Sequence, residues 1–315
     1  MRFKNLQLYS LATESELLKA LDINKELLNE ALTAPYKRRR INNRLLEIPN
    51  CSLKLIQYKI NNILNQLEFP QYYQACKGRN SILNAKKHTN RMETINLDIA
   101  NYFPNTKNKY VEIFFRTKLK ITGAALNLLM LLTTFNGHLP TGAPTSCNLA
   151  FWAHFEIFNR IYNKMKKNNI CMTLFVDDMS ISAKSHIGGW VVKFCREALK
   201  KHCLWIKTSK IKHFGYKGTW VTGVKINQAG KLLVPFKQDK AVIDMLKEKD
   251  IVNMNESEIQ KLLGKIGYIQ QIAPKRFIAT KKKAQKRYKE INQLKHYYKQ
   301  IVTILNIYLH NQSCC

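Results

Sequence analysis

Apolar residues recur at helical spacing over two stretches near the N-terminus. Leu17, Leu18, Leu21, Leu27, Leu28 and Leu32 predict one or two helices across residues 12–33, and Leu53, Ile56, Ile60, Ile63, Leu64 and Leu67 predict another over residues 52–67. Residues 70–80 contain turn formers and Gly78. From Thr94 the period changes to two: Ile95, Leu97 and Ile99 alternate as a strand that ends at Asn101-Tyr102-Phe103-Pro104. A helical stretch follows over residues 108–135. Residues 137–144 carry two Gly and two Pro and must form a shaped loop. Thr145 is then placed to cap one long helix reaching about Lys167, apolar nearly all round through Leu149, Phe151, Trp152, Phe155, Phe158 and Ile161, and hence buried. Residues 171–183 read as strand, turn and strand. A helix over 189–202 follows, then two strands with Gly215, Gly218, Gly223 and Gly230 at their turns. This order is that of a split βαβ sheet in an α+β protein. Beyond Pro235 the composition shifts to helix formers and lysine, which predicts a domain boundary there.

Charge changes the picture. The 315 residues are 45% hydrophobic, enough for a real core, yet Lys and Arg number 52 against 21 acids, for a formal net charge of +31. The excess runs from end to end, which points to a polyanion along an extended surface, and nucleic acid fits best. A membrane is the competing partner. The longest apolar stretch, residues 121–135, is interrupted by Thr and Asn and falls short of the roughly 20 residues a spanning helix needs. Arg2, Lys4 and Asn5 lead into a mixed segment unlike a signal peptide, so a cytoplasmic location is expected. Eight cysteines without a Cys-x-x-Cys pair indicate reduced thiols, neither a zinc site nor a disulfide framework, and Cys314-Cys315 reads as an exposed tail.

Against this basic background Phe175-Val176-Asp177-Asp178 stands out, because two adjacent carboxylates follow an apolar run and the chain has only seven Asp. Asp-Asp also suits a plain β-turn. Side by side, however, two aspartates repel and draw counter-charge, which hard divalent cations such as Mg2+ supply through oxygen ligands. Asp98 closes the alternating strand some eighty residues earlier, so three carboxylates can meet at the ends of strands in one sheet. Two Mg2+ ions about 3.5 to 4 Å apart would there serve an in-line phosphoryl displacement.

Ile-Asn-Leu-Asp98-Ile-Ala-Asn-Tyr-Phe103-Pro, Leu139-Pro-Thr-Gly-Ala-Pro-Thr-Ser146 and Phe175-Val-Asp177-Asp178 resemble three successive palm motifs of a reverse transcriptase, in order and spacing. The resemblance runs from about Lys37 to Tyr268. Two further features narrow it: Asn84-Ala-Lys-Lys-His88 is similar to the Asn-Ala-x-x-His signature of bacterial retron reverse transcriptases, and Val221-Thr222-Gly223 to their Val-Thr-Gly signature. Three positions depart from the pattern: Phe175 for the usual Tyr, Thr141 for Gln, and Cys147 for Pro. None is a metal ligand, so rate and fidelity are affected rather than the reaction.

The resemblance implies a right-hand polymerase: a helical arm over 1–36, fingers over 37–93, a palm over 94–235 that takes part of the fingers in at about 105–136, and a helical basic thumb over 236–315. It implies RNA-directed DNA synthesis from dNTPs, with Asp98, Asp177 and Asp178 as catalytic metal ligands. Phe103 would be an aromatic gate under the nucleotide sugar, Arg44 would reach the triphosphate, Thr141 and Gly142 would lie at the nucleotide, and Lys210 would protonate departing pyrophosphate. Asn84, His88, Val221, Thr222 and Gly223 would contact RNA, together with a basic thumb face of Lys281, Lys282, Lys283, Lys286 and Arg287. A structured non-coding RNA would serve as template and primer, giving a branched RNA–DNA product, with an effector protein in phage defence. The rival readings are another bacterial reverse transcriptase, such as an abortive-infection type, and a non-catalytic RNA-binding scaffold.

Overall fold

The computed structural model describes residues 3–312 apart from Asn43, Met92, Tyr216 and Lys217, and side chains as far as residue 300 apart from Lys299. Cys314 and Cys315 lie outside the described residues. The chain divides into two compact units, residues 1–222 with 228–230, and residues 223–227 with 231–315. This division falls ahead of Pro235.

The first unit begins with α1 (Glu14–Leu21) and α2 (Lys25–Leu32). The break between them follows from Asp22, which closes α1 in the left-handed region, and from Asn24, which caps α2. Thr13 and Glu16 form a capping box at the start of α1. The basic run then forms a hairpin, β1 (Tyr36–Ile41) against β2 (Arg44–Pro49). It lacks alternating hydrophobicity, since β1 is exposed from Lys37 on, and so gave no strand signal. After α3 (Cys51–Leu64) and α4 (Ser81–Lys86) comes β3 (Glu93–Asp98), whose Ile95 and Leu97 are buried as their alternation requires.

After a short α5 (Tyr102–Asn105), the helical stretch expected over 108–135 is two helices, α6 (Asn108–Thr117) and α7 (Gly123–Thr133). Lys120 at φ +58° and Gly123 at φ +54° break it. The long helix expected from Thr145 is likewise two, α8 (Ser146–Ala153) and α9 (Phe155–Lys167), divided at His154. Thr145 makes no capping bond, and its hydroxyl is buried without a partner. The His154 ring is turned sideways, with Nδ1 3.1 Å from His202 Nδ1 and Nε2 3.1 Å from Thr106 Oγ1. The expectation of burial holds for α8, whereas α9 buries only one face, with Ile157, Phe158, Ile161 and Met165 inside and Arg160, Lys164, Lys166 and Lys167 exposed.

Next come β4 (Cys171–Phe175), β5 (Asp178–Ala183), α10 (Trp190–Lys200), β6 (Lys212–Phe214) and β7 (Thr219–Val221). β3, β4, β5 and β6 form one sheet in the order β4-β5-β3-β6, with every neighbouring pair antiparallel. Helices pack over a core that includes Tyr73, Phe115, Phe151 and Phe158. This is the split βαβ sheet read from the sequence.

The second unit contains the paired strands β8 (Val224–Ile226) and β9 (Leu232–Leu233), then α11 (Phe236–Glu248), α12 (Glu256–Gln270) and α13 (Ile278–Gln312). Its separate core gathers Val242, Ile259, Leu262, Ile266, Ile269 and Ala284. Among the described residues no helix is long and apolar enough to cross a membrane.

Candidate active site

The register of the sheet sets the carboxylates. β3 pairs with β5 so that Asp98 lies directly opposite Asp178. β4 and β5 pair Phe175 with Asp178, leaving Val176 and Asp177 as a two-residue turn. Val176 sits at φ +58°, which costs a β-branched residue on the order of 1–3 kcal/mol. A positive φ at the first turn residue alone is the sign pattern of a type II′ hairpin, where Gly is usual. The turn is pinned: the Ile99 N–H donates to Asp177 O at 3.0 Å, and the Lys207 N–H donates to Asp98 O at 2.8 Å.

Asp98 and Asp177 line a cleft of about 650 Å³ whose walls also include Arg44, Phe103, Thr141 and Lys210, and Asp178 adjoins it as the partner of Asp98 across the strands. Lys210 Nζ donates to Asp98 Oδ2 at 2.6 Å. Burial and then the Asp98 charge raise the Asp177 carboxyl above its ordinary value, while Arg44 and Lys210 oppose the shift. Burial, then Asp177 and Asp98, push the Asp178 carboxyl up to about 6. The site is therefore short of positive charge within a protein that has an excess of it. Among the described residues no group of three or more His, Cys, Asp or Glu side chains forms a ready metal cage. The donor set nonetheless fits a hard divalent cation, because it consists of carboxylate oxygens and its members resist ionisation until counter-charge arrives.

Phe103 lies in α5, half-buried against the ring of Tyr102 at 5.6 Å between centroids, with its other side toward the cleft. Tyr102 is wholly enclosed, and burial drives its phenol well above the ordinary range. Thr141 and Gly142 lie on the shaped loop, fastened to β2 by the Glu47 N–H, which donates to Thr141 O at 2.8 Å. Gly142 is at φ +122°, and a Cβ there would stand 3.3 Å from Glu47 O, so this position is fitted to glycine twice over.

Sequence reasoning missed the clamp behind this loop. The Glu47 carboxylate is 3% exposed and holds His138 Nε2 at 3.0 Å and Arg38 at 3.5 Å. His138 Nδ1 lies 3.0 Å from Asn136 O. The available signal was that Glu47 is the only acid between Glu30 and Glu68.

In the two short signatures, the side chains of Asn84, His88 and Val221 are buried in the protein. His88 bridges the sheet, Nδ1 to Ser182 Oγ at 2.6 Å and Nε2 to Thr173 Oγ1 at 2.8 Å, and burial, aided by Arg91 and Lys87, lowers it to about 3. The Thr222 hydroxyl donates to Ser81 O at 3.1 Å, and Asn84 Nδ2 approaches it at 3.4 Å. Gly223 alone of these five is exposed. In the second unit Lys282, Lys283 and Lys286 are exposed on α13, whereas Lys281 donates to Gln270 Oε1 at 2.8 Å and Arg287 lies 3.6 Å from Glu290.

No family model matches the chain. It is 30% identical over 168 residues to the Retron Se72 reverse transcriptase of Salmonella heidelberg (strain 579083-10), a match covering 51% of this chain and 44% of that protein. The match thus spans less than half the length of that relative. To the Retron Ec48 reverse transcriptase of Escherichia coli it is 24% identical over 312 residues, covering 87% of this chain and 76% of the relative. To the Retron Ec83 reverse transcriptase of Escherichia coli it is 24% identical over 298 residues, covering 84% and 92%. Among solved structures, apo telomerase from Candida tropicalis, truncated from its C-terminal domain, overlaps at a TM-score of 0.44 with 11% identity, over 63% of this chain and 54% of that one. Reverse transcriptases generally use divalent metal ions, in keeping with the three carboxylates. The chain is a homologue of the retron-type reverse transcriptases.

Proposed function

We propose that the chain is an RNA-directed DNA polymerase of the retron type, with Asp98, Asp177 and Asp178 as its catalytic centre. The observation that carries this reading is the placement of Asp98 opposite Asp178, with Asp177 in the strained β4–β5 turn next to Asp178, and with Asp98 and Asp177 lining a cleft beside Arg44, Phe103, Thr141 and Lys210. Two Mg2+ ions held by these carboxylates would supply the charge that stabilises an in-line displacement at the nucleotide. Arg44 binds the triphosphate, because its planar fork matches phosphate oxygens with two donors. The Phe103 ring lies under the sugar and leaves no room for a 2′-hydroxyl. Thr141 and Gly142, held against Glu47, form the wall beside the base. Lys210 exchanges Asp98 Oδ2 for a phosphate oxygen and gives a proton from Nζ to the leaving pyrophosphate.

By resemblance, a cognate structured RNA serves as both template and primer, DNA starts from a guanosine 2′-hydroxyl, and the branched product stays bound in the bacterial cytoplasm with an effector protein for phage defence. The high net charge supports retention, because a basic channel releases a polyanion slowly at moderate salt. The test is to express the protein with its native upstream sequence and isolate the bound nucleic acid. A species shortened by RNase, whose DNA is freed from a residual ribonucleotide by debranching enzyme, is expected. Linear 3′-primed cDNA would move the assignment to another bacterial reverse transcriptase. Absence of extension on any primed RNA template would leave a binding scaffold.

A further inference from the structure

A second cavity, of about 600 Å³, opens at the opposite end of the β4–β5 hairpin from the carboxylates. Cys171 at its wall pairs with Ser182, whereas Phe175, four residues on, pairs with Asp178. At about 3.3 Å per residue, the two ends are roughly 13 Å apart along the strand. Lys87, Arg91, Lys166 and Lys184 line the cavity, and no acid does. Unpaired lysines are ordinary in so basic a chain; four cations around one hollow are not, because each disfavours the charge on the next. Burial, and then the Arg79 guanidinium behind the cavity wall, draw the Lys87 ammonium below its usual value, although its Nζ donates to Gln71 O at 2.6 Å.

Two features give the cavity more than charge. Tyr72 and Tyr162 line it with their rings stacked at 4.6 Å between centroids, and Tyr162 is only half-buried. Tyr72 is 2% exposed, and its hydroxyl has no hydrogen-bond partner. A buried phenol rarely goes unpartnered, so one polar group at this wall is left for an acceptor to satisfy. Concave shape, clustered donors and an aromatic face are what phosphates with an attached base require.

We infer that this cavity is a phosphate-binding site separate from the carboxylate cleft, taking closely spaced phosphates with a base against Tyr162, from an RNA strand or from a free nucleoside polyphosphate. The inference stands on these residues whether or not the carboxylate cleft polymerises. Lysine acetylation rates of the full chain, read by mass spectrometry, test it. The comparison is protein alone, with a 12-nucleotide RNA, and with ATP, in about 0.3 M salt to screen diffuse binding to exposed lysines. One of the two ligands should slow Lys166 and Lys184 about fivefold more than the median exposed lysine, as expected where a bound phosphate occupies the ammonium's donors. Protection by RNA alone assigns the site to a strand, and protection by ATP to a free nucleotide. Lys166→Gln with Lys184→Gln should weaken the protecting ligand about tenfold and, for RNA, lower the slope of log K against log salt by about 1.4, from two lost contacts of about 0.7 each. Primer extension at saturating template should be unchanged in this variant, and its absence in wild type as well would count against the polymerase reading alone. If neither ligand protects Lys166 and Lys184 beyond the median, or the double variant binds as wild type does, the site is overturned.

Discussion

Replacing Asp178 by Asn should abolish extension and yet stabilise the metal-free protein at neutral pH. Burial, then Asp177 and Asp98, raise this carboxyl from 3.8 to about 6, so folding favours its protonated form. Its contribution to stability is therefore fully present below about pH 4 and is lost as the pH rises through about 6. Converted at about 1.4 kcal/mol per tenfold, the shift gives about 3 kcal/mol. Asp178 is exposed on one side, and solvent screening brings the figure to about 1 kcal/mol. For a unit of this size that is a rise of about 2–4 °C in Tm. Melting curves of wild type and D178N in EDTA, from pH 4 to pH 8, measure it directly. The two should melt together at pH 4 and separate progressively up to about pH 6–7, with D178N the higher. Mg2+ at pH 8 should close the gap by stabilising wild type, which alone keeps the full carboxylate set. A difference independent of pH, or a D178N protein less stable at pH 8, would refute the electrostatic account of the site.

Phe103→Ala should admit ribonucleotides, since the ring at the cleft wall is gone; unchanged dNTP over rNTP discrimination in single-turnover assays would remove the gate role. Glu47→Ala leaves Arg38 and His138 without their shared carboxylate and loosens the loop of Thr141 and Gly142. The KM for dNTP should rise about tenfold, about 1.4 kcal/mol, with kcat less affected, and an unaltered KM would make the clamp irrelevant to nucleotide binding. Neutralising Lys282, Lys283 and Lys286 together should lower the salt slope of RNA binding by about 2, from three contacts of about 0.7 each. Adding Lys281 and Arg287, which already have partners on the protein, should change the slope less, and an equal further drop would show that those partners yield to RNA.

The palm was legible because its signals are local. Period-two alternation over Ile95 and Leu97 gave β3, an apolar run ending in Asp177-Asp178 gave the hairpin, and both carboxylate sites fall where strands end. What failed was also local in cause. Residues 108–135 and the stretch after Thr145 are apolar enough to read as continuous helices, but Lys120 takes a left-handed conformation and His154 turns its ring to His202 and Thr106, choices made by tertiary partners that no window of sequence contains. The β1–β2 hairpin was hidden for the opposite reason. Its basic strand buries almost nothing, so its pairing with β2 leaves no hydrophobic period to read.

Backbone strain marks the two places where motif and fold meet. Val176 at φ +58° and Thr222 at φ +44° are both β-branched, and each stands where a glycine would be relaxed. At Val176 it closes the two-residue turn that sets Asp177 next to Asp178, which pairs with Asp98, and the Ile99 N–H holds the turn at Asp177 O. At Thr222 it turns the hydroxyl toward α4, where it donates to Ser81 O and receives Asn84 Nδ2 from 138 residues away. Two hydrogen bonds of about 0.5–1.5 kcal/mol each are of the order needed to offset on the order of 1–3 kcal/mol of strain. The segment at Asn84 and the triplet at Val221, separate in the sequence, are thus one interlocked element. His88 ties that element to Thr173 and Ser182, and those residues lie on the two strands that carry the aspartate turn.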